Sequence, residues 1–550
     1  MEGVNASKQG KTVASPNAAY ESAFDLWAVS RAVCAGQRYV KAFDSHVNSH
    51  DFSGMLLLPF SPSMTQQQFD LYKSEAEFPG IVSQYAKIIV GGLLRKKPTL
   101  ELPDNVPEEA RSWLLDEIGQ DGCTLSSLLD TALWDELQTS RCWVYVDYPM
   151  IPEADQLTTS DFKGFKPYPV LWDAESIINW RMMTMPDGSK KLQRVFVKGF
   201  EEVFDETDSD QFHPDFVETV WLHELVDGCY QIRKFQLCDK LGSLVFVNGG
   251  EYKNGNQAEW GFRVVDTIQD FKINGKPLDF IPAWPLNGSI DIVQPMMNAM
   301  IDKEIALYNK ISRRNHLLYG AATYTPWISS EMDESAFAAI VDAGLGSWIH
   351  LQKEDKIGVL PTPTEALTDM DRAISAHIEE MAKMGIRMLT PETGESGVAL
   401  EIRNAAQTAQ LGTLNMKVSA TMSAVLAFML NWRYDLKLTA SDVKFTLSSD
   451  FNPAPLGADW LRLVTEWYEN GLIPRSVWLS ILKMNDIMPP EYDDEKAAKE
   501  INEDGLINPP TPPSGSFIGL NSADQLNSAQ AKAKAAQDAA DKAALQASGR

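Results

Sequence analysis

The chain has 550 residues, 44% of them hydrophobic and 23% charged, with 49 basic against 75 acidic side chains and a formal net charge of -26. The length suffices for several cores of ordinary size, and the composition is that of a globular protein. The charge excludes a monomer that wraps nucleic acid by neutralising phosphates, and suits a surface that must not adhere to DNA.

The five cysteines (Cys34, Cys123, Cys142, Cys229 and Cys238) are scattered and odd in number. They read as reduced thiols of a cytosolic product, not as a disulfide frame or a zinc site. No basic start followed by an apolar run is present, so no secretory signal is expected. The best membrane candidate, IVSQYAKIIVGGLL, is too short and carries Lys87, so no membrane is expected.

In chain order, the first dozen residues are expected to be disordered. Phe24, Trp27, Ala28, Val33 and Val40 fit a helix from about Pro16 to Phe43, and Ile81, Tyr85, Ile88, Ile89 and Leu93 fit one from Gln66 to Arg95, closed by Pro98. A third helix is predicted over LSSLLDTALWDELQTS. The period then changes. CWVYVDYP, YPVLWDAESIINWRMM, LQRVFVKGF, FVETVWLHEL, CYQIRKFQL, SLVFVNG and WGFRVVDTIQDF are rich in Val, Phe, Tyr and Trp, as strands are, with a hairpin signal at Asp187-Gly188. Residues 141–285 therefore read as a β-rich module, and the chain as α+β.

Helical spacing returns at Met296, Met297, Met300, Ile301, Ile305, Tyr308 and Ile311, with Lys310, Arg313 and Arg314 toward the C-terminal end, where cations suit the macrodipole. A small α/β excursion follows, including TYTPWISS, GLGSWIHL and KIGVLPTPT. Leu367, Met370, Ile374, Ile378 and Met381 mark another helix, with Gly385 as its C′ residue. After the loop LTPETGES, Leu411, Leu414, Val418, Met422, Val425 and Met429 predict a helix from Gly397 to Asn431, with Ser396 as its cap and a bend at Gly412. DVKFTLSSDF reads as a strand, ADWLRLVTEWYENG and PRSVWLSILKMN as a helical pair, and DDEKAAKEINEDG as a last acidic helix. The tail from Leu506 is Pro-rich and then Ala-rich, with too few large apolar residues to bury it.

No motif points to catalysis. QGKT lacks the upstream glycine and strand of a phosphate loop, since Asn5 stands where the glycine belongs. GESG at 394–397 fails the spacing of a nucleophile elbow, and Ser396 suits a cap better. His46 and His50 with Asp44 and Asp51 could share a helical face as metal ligands, but a polar surface near a helix end is the plainer account. Acidic runs such as EYDDEKAAKE and FDETDSD read as solvated faces. Met296, Met297 and Met300 read as adaptable packing. No catalytic residue, metal or cofactor is expected.

The order of the elements resembles the portal (head-to-tail connector) proteins of tailed bacteriophages, over roughly 60–505. FDLYKSEAEFPGIVSQYAKIIVGGLLRKKPTLELP resembles the family's early helix with its basic-Pro break, and VLWDAESIINWR the wing segment after the first strand. IPAWPLNGSIDIVQPMMNAMIDKEIALYNKISRRNH looks like the first stem helix, and SGVALEIRNAAQTAQLGTLNMKVSATMSAVLAFMLNWRY like the long helix behind the tunnel loop. FTLSSDFNPAPLGADWLRLVTEWYENGLIPRSVWLSILK is similar to the strand and crown that follow.

The resemblance implies a mainly helical portal fold. Residues 1–140 would form the N-terminal helical part of the wing and 141–285 its β-rich part. Residues 286–316 and 365–386 would be the two stem helices, with the clip at 317–364. The tunnel loop would span 387–397, the long helix and a wing strand 398–453, and the crown 454–505, leaving 506–550 as a flexible or helical tail. It also implies a ring of twelve copies at one capsid vertex of a virion assembled in the host cytoplasm. Double-stranded DNA would pass through it in packaging and ejection. The partners would be the large terminase subunit, head-completion, neck or adaptor proteins, and the major capsid and scaffold proteins. In the loop, Arg387, Thr390, Glu392, Thr393 and Glu395 would face DNA, the two glutamates repelling phosphate or Arg387 touching it transiently. Lys310, Arg313 and Arg314 are candidates to line the channel or to pair with a neighbour's acids. Two other classes compete: a soluble acidic metal-dependent hydrolase or nuclease, and a monomeric scaffold that assembles only with partners.

Overall fold

The computed structural model describes residues 11–46, 57–59, 64–149, 165–203, 214–248, 251–253, 260–269, 271–273, 275–322, 325–329, 331, 333, 335, 337–338, 354, 356–360, 365–384, 397–448 and 458–484. It is an α+β protein of two compact units, 1–453 and 454–550.

The first unit opens with α1 (Ala18–Ala35), whose N-cap Asn17 accepts a hydrogen bond from the Ala19 amide at 2.9 Å. The helix expected over 16–43 is divided: Gly36, at φ 94°, separates α1 from α2 (Gln37–His46). The helix expected over 66–95 is likewise two. α3 (Gln66–Glu75) begins with a Thr65/Gln68 capping box, and α4 is Ile81–Leu93. Between them Pro79 has no N–H to continue the ladder and Gly80 turns left-handed at φ 70°. Periodicity carried across this break because Tyr72, Phe78, Val82 and Tyr85 all reach one core.

After β1 (Thr99–Glu101) come α5 (Glu108–Asp116) and α6 (Leu125–Thr139), capped by Thr124. Arg31 of α1 clamps α6 to the turn that follows the next strands. Its guanidinium meets Asp135, and its Nε and Nη2 donate to Glu175 Oε1 and Oε2 at 3.0 and 2.8 Å. Burial pushes the Asp135 carboxyl up to about 6, although Arg31 pulls it down.

The strands are β2 (Trp143–Asp147), β3 (Tyr168–Trp172), β4 (Ile177–Thr184), β5 (Lys190–Val203), β6 (Asp215–Val226), β7 (Cys229–Cys238), β8 (Phe246–Asn248), β9 (Glu251–Lys253), β10 (Gly261–Ile268), β11 (Lys272–Ile273), β12 (Lys276–Pro277) and β13 (Ala283–Pro285). A seven-stranded sheet runs β10-β7-β6-β5-β4, with β8 and β9 added at β6. Its β4–β5 turn is the predicted Asp187-Gly188, where Gly188 sits at φ 82° and Asp187 Oδ1 accepts from the Ser189 amide at 2.9 Å. A second Asp-Gly pair turns β6 into β7, with both Asp227 (φ 52°) and Gly228 (φ 79°) left-handed, as a type I′ turn demands. A separate sheet, β13-β2-β3, packs into the main core.

The chain then forms α7 (Asn298–Ala322), the antiparallel ribbon β14 (Thr325–Ser329) with β15 (Lys356–Leu360), α8 (Glu365–Met384), α9 (Gly397–Tyr434) and β16 (Lys444–Thr446). α7 starts after Met296 and Met297 and runs past His316, so the helix lies further along the chain than its spacing suggested. α9 passes through Gly412 without interruption and reaches Tyr434. Its segment Leu411–Tyr434 is, by length and composition, apolar enough to cross a membrane, but most of it is buried inside the protein. Val418, Met422, Val425, Leu426, Met429 and Leu430 are fully enclosed. At about 1.5–3 kcal/mol for each such side chain, this is the spine of a core. β16 closes on β1, pairing Thr446 with Thr99.

The second unit contains α10 (Ala458–Glu469) and α11 (Arg475–Met484), the predicted pair, with Tyr468 stacked on Trp478 at 4.8 Å. The acidic helix expected at 493–505 and the tail lie outside the described residues.

Candidate functional site

Among the described residues, polar groups gather along the hairpin of α7 and α8 and at a cavity beside β3, among other places.

Ascending α7 while descending α8, Lys303 Nζ donates to Glu380 Oε1 at 2.7 Å, Lys310 Nζ to His377 Nδ1 at 2.8 Å, and Arg314 Nε to Asp371 Oδ1 at 2.7 Å. The helices are therefore antiparallel. A lysine ammonium only donates, so His377 Nδ1 must accept, and its Nε2–H donates to the Lys303 carbonyl at 2.9 Å. Those two bonds define a neutral imidazole. Arg313 turns instead toward Tyr72 of α3, whose phenol burial raises and whose charged form the guanidinium favours. The three basic residues singled out from the sequence are thus all engaged within the chain. The tunnel-loop candidates Arg387, Thr390, Glu392, Thr393 and Glu395, and the proposed cap Ser396, lie outside the described residues.

The other side of α7 is rooted by Glu304, which is fully buried. Its Oε1 accepts from the Ile81 amide at 2.5 Å and its Oε2 from the Val82 amide at 2.8 Å. α4 has no capping side chain of its own at Gly80, so a carboxylate 223 residues away caps it. Burial pushes Glu304 up to about 7, against the pull of the Val82, Ile81 and Gly80 amides. His316 Nδ1 lies 3.3 Å from Glu75 Oε2, a further tie from α7 to α3.

Apolar side chains on this hairpin point outward. Leu318, Ile378 and Met384 are exposed, as are Trp327 and Ile357 on the β14–β15 ribbon. Gly358 lets the Trp327 indole lie across that ribbon, since a Cβ there would meet the ring at 2.7–2.8 Å. Among the described residues no group of three His, Cys, Asp or Glu side chains could hold a metal ion. Asp44 and His46 lie at the end of α2, and His50 and Asp51 lie outside the described residues.

The cavity, about 760 Å³, lies between β3 and the face of the large sheet that carries Val197, Trp221, His223 and Ile232. Strand alternation places Tyr145 and Asp147 on one face of β2, and Trp221 and His223 on one face of β6. Asp147 Oδ1 accepts from the Tyr148 amide at 2.9 Å and from Tyr145 OH at 3.3 Å, and its Oδ2 accepts from Tyr168 OH at 3.1 Å. Tyr145 OH is 3.2 Å from Tyr230 OH, which is 2.7 Å from His223 Nδ1. Burial raises the Asp147 carboxyl and lowers the His223 imidazole to about 3, keeping that ring neutral. Sequence inspection missed this group. The signal was present as aromatic and polar residues at i, i+2 spacing in YVD and WLH, but only the pairing of β2 with β3 and the approach of β6 bring them together.

Residues 295–433, from just before α7 to within one residue of the end of α9, match a domain of unknown function (DUF4055). No curated protein matches the chain. Among solved structures, a chain from a "Virion of native gene transfer agent (GTA) particle" is 10% identical and has a TM-score of 0.30, with 71% of this chain and 85% of that chain covered. One from a "Neck of empty GTA particle computed with C6 symmetry" is 10% identical with a TM-score of 0.30, covering 78% of this chain and 92% of that chain. Likeness at that level carries no argument about fold or function. The segment α7–α9 is the part of the chain shared with a described family, and that family's function is not known.

Proposed function

We propose that the chain is a portal subunit of a tailed-phage-like particle: a non-catalytic member of a ring through which double-stranded DNA is packaged and ejected. One observation carries this. An antiparallel hairpin, α7–α8, ended by the ribbon β14–β15, stands between a β-rich segment and a long helix, and leaves Leu318, Ile378, Met384, Trp327 and Ile357 uncovered in a single chain. Closed symmetry supplies neighbours that cover such faces. In this proposal α7 and α8 are the stem, the ribbon belongs to the clip that docks the large terminase subunit and later the neck proteins, and 387–397 is the tunnel loop. Lys310 and Arg314, already paired along the hairpin, add little free positive charge to a bore. The net charge of -26 per copy disfavours adhesion of phosphates, so a duplex slides.

Mass photometry and negative-stain imaging of the purified full chain test the proposal. The expected result is a ring with a central opening and a mass near twelve times 61.2 kDa, give or take a subunit. A stable monomer at micromolar concentration would overturn it, and metal-stimulated hydrolysis by that monomer would favour the hydrolase alternative.

A further inference from the structure

We propose that the cavity beside β3 is a binding site for a small molecule bearing a planar cationic N–H donor, a guanidinium or amidinium on a flat or slender frame. The proposal rests on residues of β2, β3, β6 and β7 and is independent of the ring.

The direction of the buried hydrogen bonds gives the first reason. An ionised Asp147 only accepts, so Tyr145 donates its one hydroxyl proton to Oδ1 and Tyr168 donates its own to Oδ2. Tyr145 then has no proton for Tyr230, so Tyr230 donates to Tyr145. Tyr230 in turn has none for His223, and the imidazole must donate from Nδ1 to the Tyr230 oxygen. The proton chain leaves His223 Nε2 as a bare acceptor. His223 is only 4% exposed and lines the cavity, and its Nε2 has no hydrogen bond to a described residue. The cavity therefore presents an acceptor that a ligand N–H can fill.

Charge and wall chemistry give the second. Asp147 and Asp173 both line the cavity. Lys198 lines it too but turns its ammonium to Glu218, 2.7 Å away, so it does not neutralise them. Tyr145, Trp172, Trp221 and Phe271 supply aromatic wall, the first two stacked at 4.7 Å. A planar cation donates to Nε2 and to the carboxylate while lying on rings that attract positive charge. An anion meets two carboxylates and an acceptor. An uncharged apolar ring leaves Nε2 without a partner. The volume, about 760 Å³, is that of a small-molecule site.

The test uses the full chain and ligand-observed saturation-transfer NMR with benzamidine, benzoate and benzyl alcohol, three probes of nearly one shape. Benzamidine is expected to bind with a Kd of about 1 mM or tighter, the affinity of a small fragment, and benzoate not at all. Asp147→Asn should weaken benzamidine at least tenfold, whereas Tyr168→Phe, which frees a lone pair on Asp147, should retain or tighten it. A blocked Gly-Arg-Gly peptide run in parallel separates the sources: tighter binding than benzamidine would identify a polypeptide arginine, and weaker binding a free small molecule. No benzamidine signal, equal binding of benzoate, or a folded Asp147→Asn with undiminished affinity would each overturn the proposal. If Asp147→Asn does not fold, the wild-type contrast of benzamidine with benzoate and the Tyr168→Phe result decide.

Discussion

Glu304→Ala is expected to destabilise the larger unit by about 2–4 kcal/mol near pH 4.5, and by less at neutral pH, read as a lower urea midpoint of the full chain. The reason is local and double. The substitution leaves the Ile81 and Val82 amides without their acceptors at a helix start that has no cap of its own, and it opens a void at a fully buried position. Glu304→Gln should cost part of the same, because an amide offers one acceptor oxygen where two N–H groups bond two different oxygens. The pH dependence separates the charge from the shape. Folding raises this carboxyl from 4.5 to about 7. A raised acid contributes stability that is fully present below its unfolded pKa and is lost as pH rises through the folded one. The expected loss across pH 4.5–7 is about 3 kcal/mol at 1.36 kcal/mol per unit, and Glu304→Gln should lack that component. Equal pH profiles for the two proteins would show that the buried carboxyl does not titrate in this window.

Arg31→Ala is expected to cost about 2–3 kcal/mol, the lower end for a broken buried pair because Arg31 and Glu175 are each about 30% exposed. Its loss leaves Asp135, nearly buried, beside Glu175 with no cation between them. Asp135 is already raised to about 6 by burial, with Arg31 pulling it down, so removing Arg31 raises it further. By the same sign rule, the penalty should be small near pH 5, where the carboxyl is protonated in the variant, and full by pH 8. Arg31→Lys should recover only part, since an ammonium cannot reproduce the two-pronged contact with Glu175. A penalty that does not change between pH 5 and pH 8 would count against this account.

Much of the fold was legible in the residues. α6, the Asp187-Gly188 hairpin, the α10–α11 pair and the long α9 follow from period, caps and turn chemistry, which act over a few residues. The helix over 66–95 was misjudged because Pro79-Gly80 breaks the backbone while the apolar spacing continues, and spacing alone does not see φ. The Asp227-Gly228 turn was there to be read by the rule that found its neighbour.

By itself, the sequence determined the α+β class, the acidic charge that argues against a phosphate-neutralising monomer, and the chain order helices, strands, hairpin, long helix. Those follow from local propensity and composition, which need no partners. Only the tertiary structure decided that Glu304 caps a helix 223 residues away, that Lys310 and Arg314 pair along the hairpin, and that Asp147, Tyr145, Tyr230 and His223 form one proton chain at a cavity wall. Hydrogen bonds and ion pairs act over a few ångströms, and which residues come that close is set by how sheets and helices pack, not by their distance along the chain.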